Sequence, residues 1–281
     1  MQDSKPSAFD RRDFLAASIA TGFALAVKPV AASTITTDAS GLQTSTVSIT
    51  VPGGPLPAYC AKPAAAKGPL PTVIVVQEIF GVHEHIQDLC RRLAKLGYLA
   101  IAPELYFRQG DARKYPDIDK LLSEIVAKVP DAQVMDDLDA TAAWAATHGG
   151  DEKRLAITGF CWGGREVWLY SAHNPNLKAA AAWYGPIEPP KAPLKPINPI
   201  DIAADIKVPV IGFYGGKDQG ISQESVEKMR AALTAAHKTF DLNVYPDAGH
   251  GFNADYRPSY NAAAATAAWA KMLAWFKQNG V

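Results

Sequence analysis

Short runs of apolar residues alternate with segments of helical periodicity along most of the chain. The run 72–76 is β-branched throughout, which is typical of a strand buried on both faces of a parallel sheet. Apolar residues then recur at three- and four-residue spacing from Ile86 to Leu96, and this spacing predicts a helix that stops at Gly97. Because the alternation continues to the C-terminus, we predict a single α/β domain with a mostly parallel sheet and helices on both faces.

The same two patterns predict the remaining elements. Strands are expected at about 98–102, 155–158, 179–184, 208–214 and 240–245. Helices are expected at about 131–148, 164–173 and 222–237, with a closing helix that ends near Gly280. Asp131 is the predicted N-terminal cap of the first of these helices. The alternating segment 44–51 predicts an edge strand or a hairpin with 56–61.

One segment interrupts this alternation. The stretch from Pro186 to Pro199 holds six prolines in fourteen residues, which excludes a helix or a central strand because proline lacks the backbone N–H. It connects two predicted strands. Two interpretations remain open for it, a wall at the mouth of an active site and an inert surface excursion.

The first 32 residues have the pattern of an export signal. Arg11 and Arg12 precede an apolar run of 14 residues at 14–27, and small residues follow at 30 and 32, three residues and one residue before the expected cleavage point. The Arg-Arg-x-Phe-Leu order resembles the twin-arginine type, and the run is shorter than the roughly 18 to 20 residues that span a bilayer. We expect cleavage after Ala32, a periplasmic mature domain over 33–281 and no stable membrane insertion. An amphipathic helix or an uncleaved anchor is the alternative.

Composition and charge narrow the class of protein. Apolar residues make up 48% of the chain and charged residues 20%, which is the composition of a globular protein and excludes a disordered one. The 28 basic and 28 acidic side chains cancel, which argues against a nucleic-acid partner. Three cysteines are too few for a disulfide scaffold. We expect Cys60 and Cys90 to be buried thiols, with a disulfide between them as the alternative.

The third cysteine has the context of a nucleophile. Cys161 lies in the sequence Gly159–Gly164, which reads Gly-Phe-Cys-Trp-Gly-Gly and falls between a predicted strand and a predicted helix. A sharp turn from strand to helix needs small flanking residues and exposes the central side chain at the sheet edge. The start of the helix also favours a thiolate over a thiol. The alternative is a buried structural cysteine in a glycine-rich turn.

Two further residues follow in the order that α/β-hydrolases use, which is nucleophile, acid and histidine. Asp218 and His250 each come just after a predicted strand, where open α/β sheets build their sites. His250 would exchange protons with the nucleophile and the leaving group, and Asp218 would fix its tautomer. Asp247, in the same loop as the histidine, is the competing acid.

Together these motifs resemble the dienelactone hydrolase family of α/β-hydrolases over about residues 45 to 280. The matching segments are Gln-Glu-Ile-Phe-Gly at 77–81, Ala-Pro-Glu-Leu-Tyr at 102–106, Gly-x-Cys-x-Gly-Gly at 159–164, Asp218 after two glycines, and Gly249-His250. The resemblance implies an α/β-hydrolase fold with a cysteine nucleophile and a Cys–His–Asp triad.

The resemblance also implies roles for residues outside the triad. Glu78 matches a glutamate that helps to generate the thiolate, although a plain salt-bridge partner is the alternative. The backbone N–H groups of Ile79 and Trp162 would form an oxyanion hole. Arg108 matches an arginine that holds a substrate carboxylate, for which a forked guanidinium is suited.

The substrate pocket differs from the family pattern at one position. Ala254 stands where dienelactone-cleaving members have a second arginine, and the nearest arginine is Arg257, which argues against dienelactone itself as the substrate. Trp162 and Tyr184 are predicted to line the pocket.

We therefore expect an enzyme that cleaves a small carboxylic ester or lactone through an acyl-enzyme. A thioesterase with the same triad and a non-enzymatic, exported thiol redox or binding protein are the alternatives. No cofactor is expected, because no phosphate loop or dinucleotide fingerprint follows a strand. His83 and His85 are expected to be loop and cap residues rather than metal ligands. We expect a monomer or a small homo-oligomer.

Overall fold

An eight-stranded sheet organises the structure, a computed structural model that describes residues 35–281. The strands are β1 Leu42–Val51, β2 Gly54–Pro63, β3 Leu70–Val76, β4 Leu99–Pro103, β5 Gly150–Phe160, β6 Ala179–Trp183, β7 Val210–Gly215 and β8 Phe240–Tyr245. The helices are α1 Glu84–Lys95, α2 Ile118–Glu124, α3 Asp131–Thr147, α4 Trp162–His173, α5 Gln223–Ala235 and α6 Ala262–Gln278. The predicted export signal lies outside the described residues.

The strands lie side by side in the order β1-β2-β4-β3-β5-β6-β7-β8. All neighbours from β4 to β8 are parallel. Strands β1 and β2 form an antiparallel hairpin at one edge, and β2 pairs antiparallel with β4. The predictions of a mostly parallel α/β sheet and of the edge hairpin are therefore confirmed.

The central strands owe their position to their apolar residues. Val73 to Val76 in β3 are fully buried, as is the five-residue strand β6. A strand without exposed residues needs cover on both faces, and the helices between the parallel strands supply it. Parallel strands joined by helices all end at the same edge of the sheet. The loops after β3, β5, β6, β7 and β8 therefore lie near one another, and this is where the candidate residues fall.

Two details of the helices differ from the sequence predictions. Asp131 is not the cap of α3: Pro130 holds the capping position, and Asp131 is the first helical residue. Its carboxylate is bound by Arg165, at 2.8 Å from each of two guanidinium nitrogens. The short helix α2 was not predicted, because seven residues give little periodicity. It begins after Asp117, whose side chain accepts a hydrogen bond from the Lys120 amide.

The proline-rich segment is fastened to the body of the protein by polar contacts. The Asp131 amide donates to the Leu194 carbonyl at 3.0 Å. Arg165, from α4, donates to the Ile197 carbonyl at 2.7 Å, and the Lys195 ammonium donates to the Val126 carbonyl at 2.7 Å. The segment is therefore anchored to the helix that follows the candidate nucleophile.

Two further expectations concern cysteines and membranes. Cys60 and Cys90 are both buried free thiols, as expected, and burial raises the pKa of each. Within residues 35–281, no helix combines the length and the apolar character that crossing a membrane requires.

Candidate active site

Cys161 occupies a strained turn between β5 and α4. Its backbone angles are φ 56° and ψ −116°, in a region that non-glycine residues rarely adopt. The turn is held by three hydrogen bonds: Cys161 N donates to Trp183 O at 2.9 Å, and its carbonyl accepts from the amides of Gly164 and Arg165. Backbone strain of about 1–3 kcal/mol persists only where the surroundings enforce it, and such residues cluster at functional sites.

The glycines of this motif allow neighbouring strand ends to press against the start of α4. A Cβ atom at Gly163 would lie 2.6 Å from the Val76 carbonyl oxygen at the end of β3, and one at Gly164 would lie 2.5 Å from the Trp183 carbonyl oxygen at the end of β6. Both distances are too short for real atoms. Glycine at these positions therefore brings three strand ends together around Cys161.

The structure brings the three predicted triad residues into one chain of contacts. His250 Nε2 lies 3.2 Å from Cys161 Sγ, and His250 Nδ1 lies 2.8 Å from Asp218 Oδ2. Cys161 is 1% exposed, and the histidine side chain is 13% exposed. Asp247, the competing acid, is instead exposed and forms an ion pair with Lys217 at 2.8 Å.

The environment of His250 favours its protonated form. Burial acts to lower the pKa of this imidazole, but Cys161 and Asp218 on either side outweigh it and raise the pKa to about 10. An imidazolium next to a thiol stabilises the thiolate, which is the nucleophilic form. The geometry and the charge therefore suit nucleophilic attack followed by proton transfer.

Glu78 is a fully buried carboxylate whose contacts fall on one of its two oxygens. Its Oε2 atom accepts a hydrogen bond from the Tyr256 hydroxyl at 2.6 Å. The same oxygen lies 3.4 Å from Arg257 Nη2 and 3.5 Å from His83 Nε2. Burial acts to raise the pKa of Glu78, but Arg257 and then His83 outweigh it and hold the pKa well below its usual range. Glu78 therefore forms a salt bridge with Arg257, as the alternative interpretation of this residue expected.

Tyr184 lies beside the triad in a second strained conformation. Its φ is 38°, and its ring is in an edge-on contact with His250 at 5.2 Å between centroids. The side chain is fully buried, and its hydroxyl has no hydrogen-bond partner among residues 35–281. Burial raises the pKa of Tyr184 well above its usual value, so the hydroxyl remains a donor. This placement is consistent with its predicted position in the pocket.

The predicted oxyanion donors belong to two segments that follow β3 and β5. Trp162 is the first residue of α4, where a backbone N–H has no carbonyl partner within its own helix. Ile79 is buried in the loop after β3, and Gly163 packs against the end of that strand. The start of α4 therefore packs against the end of the strand that precedes Ile79, and the role of the two amides in binding an oxyanion stays a prediction.

Arg108 makes contacts that do not fit its predicted role. Its guanidinium binds both carboxylate oxygens of Asp137, at 2.7 and 2.9 Å, and also the Pro52 carbonyl. Asp137 is fully buried. A guanidinium that neutralises a buried carboxylate is committed to the structure, so binding of a substrate carboxylate by Arg108 stays a prediction that these contacts do not favour.

Arg257 lies in the site, although the family spacing pointed to position 254 instead. Two consecutive turns, Ala254 N to Gly251 O and Arg257 N to Ala254 O, fold the chain back toward Glu78. The guanidinium lies over the Phe80 ring at 4.8 Å, and its Nη1 atom is buried without a hydrogen-bond partner among the described residues. In the sequence, Arg257 is distinguished only as the arginine nearest to Ala254, and no local pattern distinguishes Tyr256.

His83 and His85 each lie beside a buried carboxylate. His83 faces Glu78 and Tyr256, while His85 Nδ1 lies 3.3 Å from Asp255 Oδ1. Among residues 35–281, no group of three or more His, Cys, Asp or Glu side chains has an arrangement suited to a metal ion.

Comparisons with known proteins agree with this architecture. Residues 56–280 match the family model described as "Dienelactone hydrolase family". The chain is 59% identical to the protein named "Putative carboxymethylenebutenolidase" of Methylorubrum extorquens, over 96% of this chain and 94% of that protein. An Escherichia coli K12 protein of the same name is also 59% identical, over 92% of this chain and 96% of its own length.

A solved structure extends the likeness to three dimensions. The crystal structure described as "Putative Dienelactone Hydrolase from Klebsiella pneumoniae" has a TM-score of 0.83 and 61% identity, covering 84% of this chain and 99% of that one. A more distant relative of 30% identity, from Bradyrhizobium, is named "Probable 2-oxo-3-(5-oxofuran-2-ylidene)propanoate lactonase" and is matched over 78% of this chain and 88% of its own length. The chain belongs to the dienelactone hydrolase family.

Proposed function

We propose that the protein is a hydrolase that cleaves a small carboxylic ester or lactone, with Cys161 as the nucleophile. The observation that carries this proposal is the unbroken chain from Cys161 through His250 to Asp218, with contacts of 3.2 and 2.8 Å. Membership of a hydrolase family supports an enzyme over a thiol sensor, and relatives named as carboxymethylenebutenolidases support ester or lactone chemistry.

The reaction follows from the positions of the donors. The Cys161 thiolate attacks the carbonyl carbon, and the negative charge on the carbonyl oxygen is held by the Ile79 and Trp162 amides. The C–O bond to the alcohol then breaks while the His250 imidazolium gives its proton to the leaving oxygen. A water molecule, deprotonated by His250, attacks the resulting thioester and releases the acid and the thiol. In a lactone, the alcohol and the acid stay on the same product.

The pocket favours a substrate with an anionic group. The Nη1 atom of Arg257 is buried and has no hydrogen-bond partner among the described residues. The nearby Tyr184 hydroxyl is also buried and also has no partner there. Buried donors without partners are costly unless a ligand or water occupies them. A carboxylate on the substrate would satisfy both. All three guanidinium nitrogens of Arg108 are bonded to Pro52 or Asp137, whereas Arg257 keeps Nη1 available, so we assign to Arg257 the task of holding a substrate carboxylate.

The test compares two cysteines in one assay. Cys161→Ala is expected to lower the hydrolysis of small activated esters and lactones by about 1,000-fold or more, since the nucleophile is lost. Cys60→Ala is the matched control, because it removes a buried thiol in β2. It should retain activity within about twofold. Hydrolysis by Cys161→Ala at the rate of the unaltered protein would contradict the proposal. A panel of lactones, esters and thioesters then ranks the substrate classes.

We further propose that residues 1–32 direct export to the periplasm by the twin-arginine route. The supporting observation is the Arg11-Arg12 pair before a short apolar run. Replacing both arginines with lysine keeps the charge and removes the arginine pair. Accumulation of the uncleaved chain in the cytoplasmic fraction supports the proposal, and unchanged periplasmic recovery of a shortened chain contradicts it.

A further inference from the structure

The two oxygens of the Glu78 carboxylate have different surroundings. Oε2 receives the Tyr256 hydroxyl at 2.6 Å and faces Arg257 and His83 at longer range. Oε1 is equally buried and has no hydrogen-bond partner within residues 35–281. An unpartnered carboxylate oxygen is costly to bury, and at a catalytic edge it is the atom free to interact with a thiol or a substrate.

The Tyr256 hydroxyl is the group that fixes this orientation. Its bond to Glu78 is about 0.8 Å shorter than the approach of Arg257 Nη2 at 3.4 Å, a length typical of a hydroxyl bonded to a charged oxygen. The same hydroxyl accepts a hydrogen bond from Arg257 Nε at 3.0 Å. A hydroxyl has one proton, so accepting from the arginine directs that proton to Glu78 and strengthens the bond.

The remaining neighbours of Tyr256 are two histidine rings. The His83 ring packs edge-on against Tyr256 at 5.0 Å, and the His85 ring lies 5.3 Å from it. Burial lowers the pKa of His83, so this ring is neutral near pH 7 and Arg257 is the cation that faces Glu78. Burial also raises the pKa of Tyr256 well above its usual value, so its hydroxyl proton stays on oxygen.

We propose that Tyr256 is a positioning residue that clamps Oε2 of Glu78 and thereby presents Oε1 to the reacting groups. This inference rests on the proposed hydrolase function. In this scheme Tyr256 acts through the carboxylate, to which its hydroxyl donates at 2.6 Å. Without the hydroxyl, the carboxylate would be free to turn both oxygens toward Arg257 and away from the nucleophile.

The experiment is a double-mutant cycle between Tyr256→Phe and Glu78→Gln, measured as kcat/KM on an ester whose hydrolysis depends on Cys161. Tyr256→Phe alone is expected to lower kcat/KM about 10- to 100-fold, the scale of a misplaced catalytic group, chiefly through kcat. In the Glu78→Gln background the same change is expected to cost less than about twofold, because two residues that act through one contact are not additive. Tyr260→Phe, in the same loop, is the matched control.

Each outcome decides between roles. A merely structural Tyr256 would lower the melting temperature and would reduce kcat/KM by the same factor in both backgrounds, which overturns the inference. Wild-type kcat/KM in Tyr256→Phe overturns it as well, while leaving the proposed function intact if Cys161→Ala is inactive. If Tyr256→Phe does not fold, Tyr256→Met, which also removes the hydroxyl and can adapt to the space of the ring, carries the same cycle with the same expected loss. Activity that survives Cys161→Ala refutes the proposed function instead.

Discussion

Asp218 holds His250 through one oxygen while its other oxygen is tied to the backbone. Oδ2 lies 2.8 Å from His250 Nδ1. Oδ1 accepts hydrogen bonds from the amides of Gly220 at 2.8 Å and Ile221 at 3.1 Å. The carboxylate therefore cannot rotate without losing two bonds, and it fixes the ring so that Nε2 faces Cys161.

Replacing Asp218 should therefore lower kcat far more than replacing Asp247, the other acid in the loops of the site. Asp218→Asn is expected to lower kcat about 100- to 10,000-fold, because an amide at this position favours the wrong tautomer of His250. Asp247→Asn alters only an exposed ion pair with Lys217 and should leave kcat within about twofold. Steady-state kinetics on one ester check both. Equal losses in the two variants would show that the acid has been assigned wrongly.

The charge state of His250 gives a pH dependence with a definite sign. Its pKa is raised to about 10, and the neighbours that raise it are Cys161 and Asp218. As pH rises through about 10, the imidazolium loses the proton that it gives to the leaving group, so the rate of acyl-enzyme formation should fall there.

The same argument predicts how the titration changes when a neighbour is removed. In Cys161→Ser the sulfur that helps to raise the pKa of His250 is replaced by a hydroxyl, so this pKa should move down toward its usual value, by at least about one unit. Proton NMR of the imidazole measures this titration directly in both proteins. An unchanged titration in the serine variant would mean that Cys161 does not raise the His250 pKa.

Sequence patterns located the parts of the site that follow from local rules. The β-branched run of β3 predicted a buried strand, and the glycines around Cys161 predicted a sharp turn. Asp218 and His250 each follow a predicted strand. Such residues are recognisable because strand ends of a parallel sheet share one edge. Asp218 ranked above Asp247 because Asp247 is a near neighbour of His250 in the same loop, and the contacts of the two residues agree with this ranking.

Other parts of the site depend on long-range contacts that no local pattern encodes. Arg257 reaches Glu78 through two turns without periodicity, so counting residues from His250 pointed to Ala254 instead. The partner of Arg108 is a buried carboxylate on α3, and a charge on a helix is ordinarily read as solvated. The sequence therefore predicted a substrate carboxylate as the partner of Arg108, whereas in the structure its partner is Asp137.

The Arg108 contact predicts an effect on stability rather than on substrate selection. Arg108→Met should lower the free energy of unfolding by about 3–5 kcal/mol, because Asp137 is left as a buried, unpaired charge. Adding Asp137→Leu should restore much of the loss. Urea denaturation measures both. The ratio of KM values for carboxylate-bearing and neutral esters should stay within about twofold, and a selective rise for the anionic ester would return Arg108 to the substrate site.

Glu166 predicts a dependence of stability on pH that is independent of catalysis. This fully buried carboxylate on α4 binds Arg165 through Oε1 at 2.8 Å, and Oε2 has no hydrogen-bond partner in the described part of the chain. Burial raises its pKa to about 7, against the lowering influence of Arg165. The folded protein thus holds this proton more tightly than the unfolded chain, so stability is lost as pH rises from about 4.5 to about 7.

Glu166→Gln should remove this dependence, because glutamine has no proton to lose. Relative to the unaltered protein, the variant is expected to gain about 3 kcal/mol of unfolding free energy between pH 4.5 and pH 8, at 1.36 kcal/mol per pKa unit. Taking the difference between the two proteins at each pH cancels the titration of all other groups, and Glu227→Gln on the exposed face of α5 serves as the control substitution. A difference that stays constant with pH would show that Glu166 has the same pKa in the folded and the unfolded protein, with Arg165 offsetting its burial.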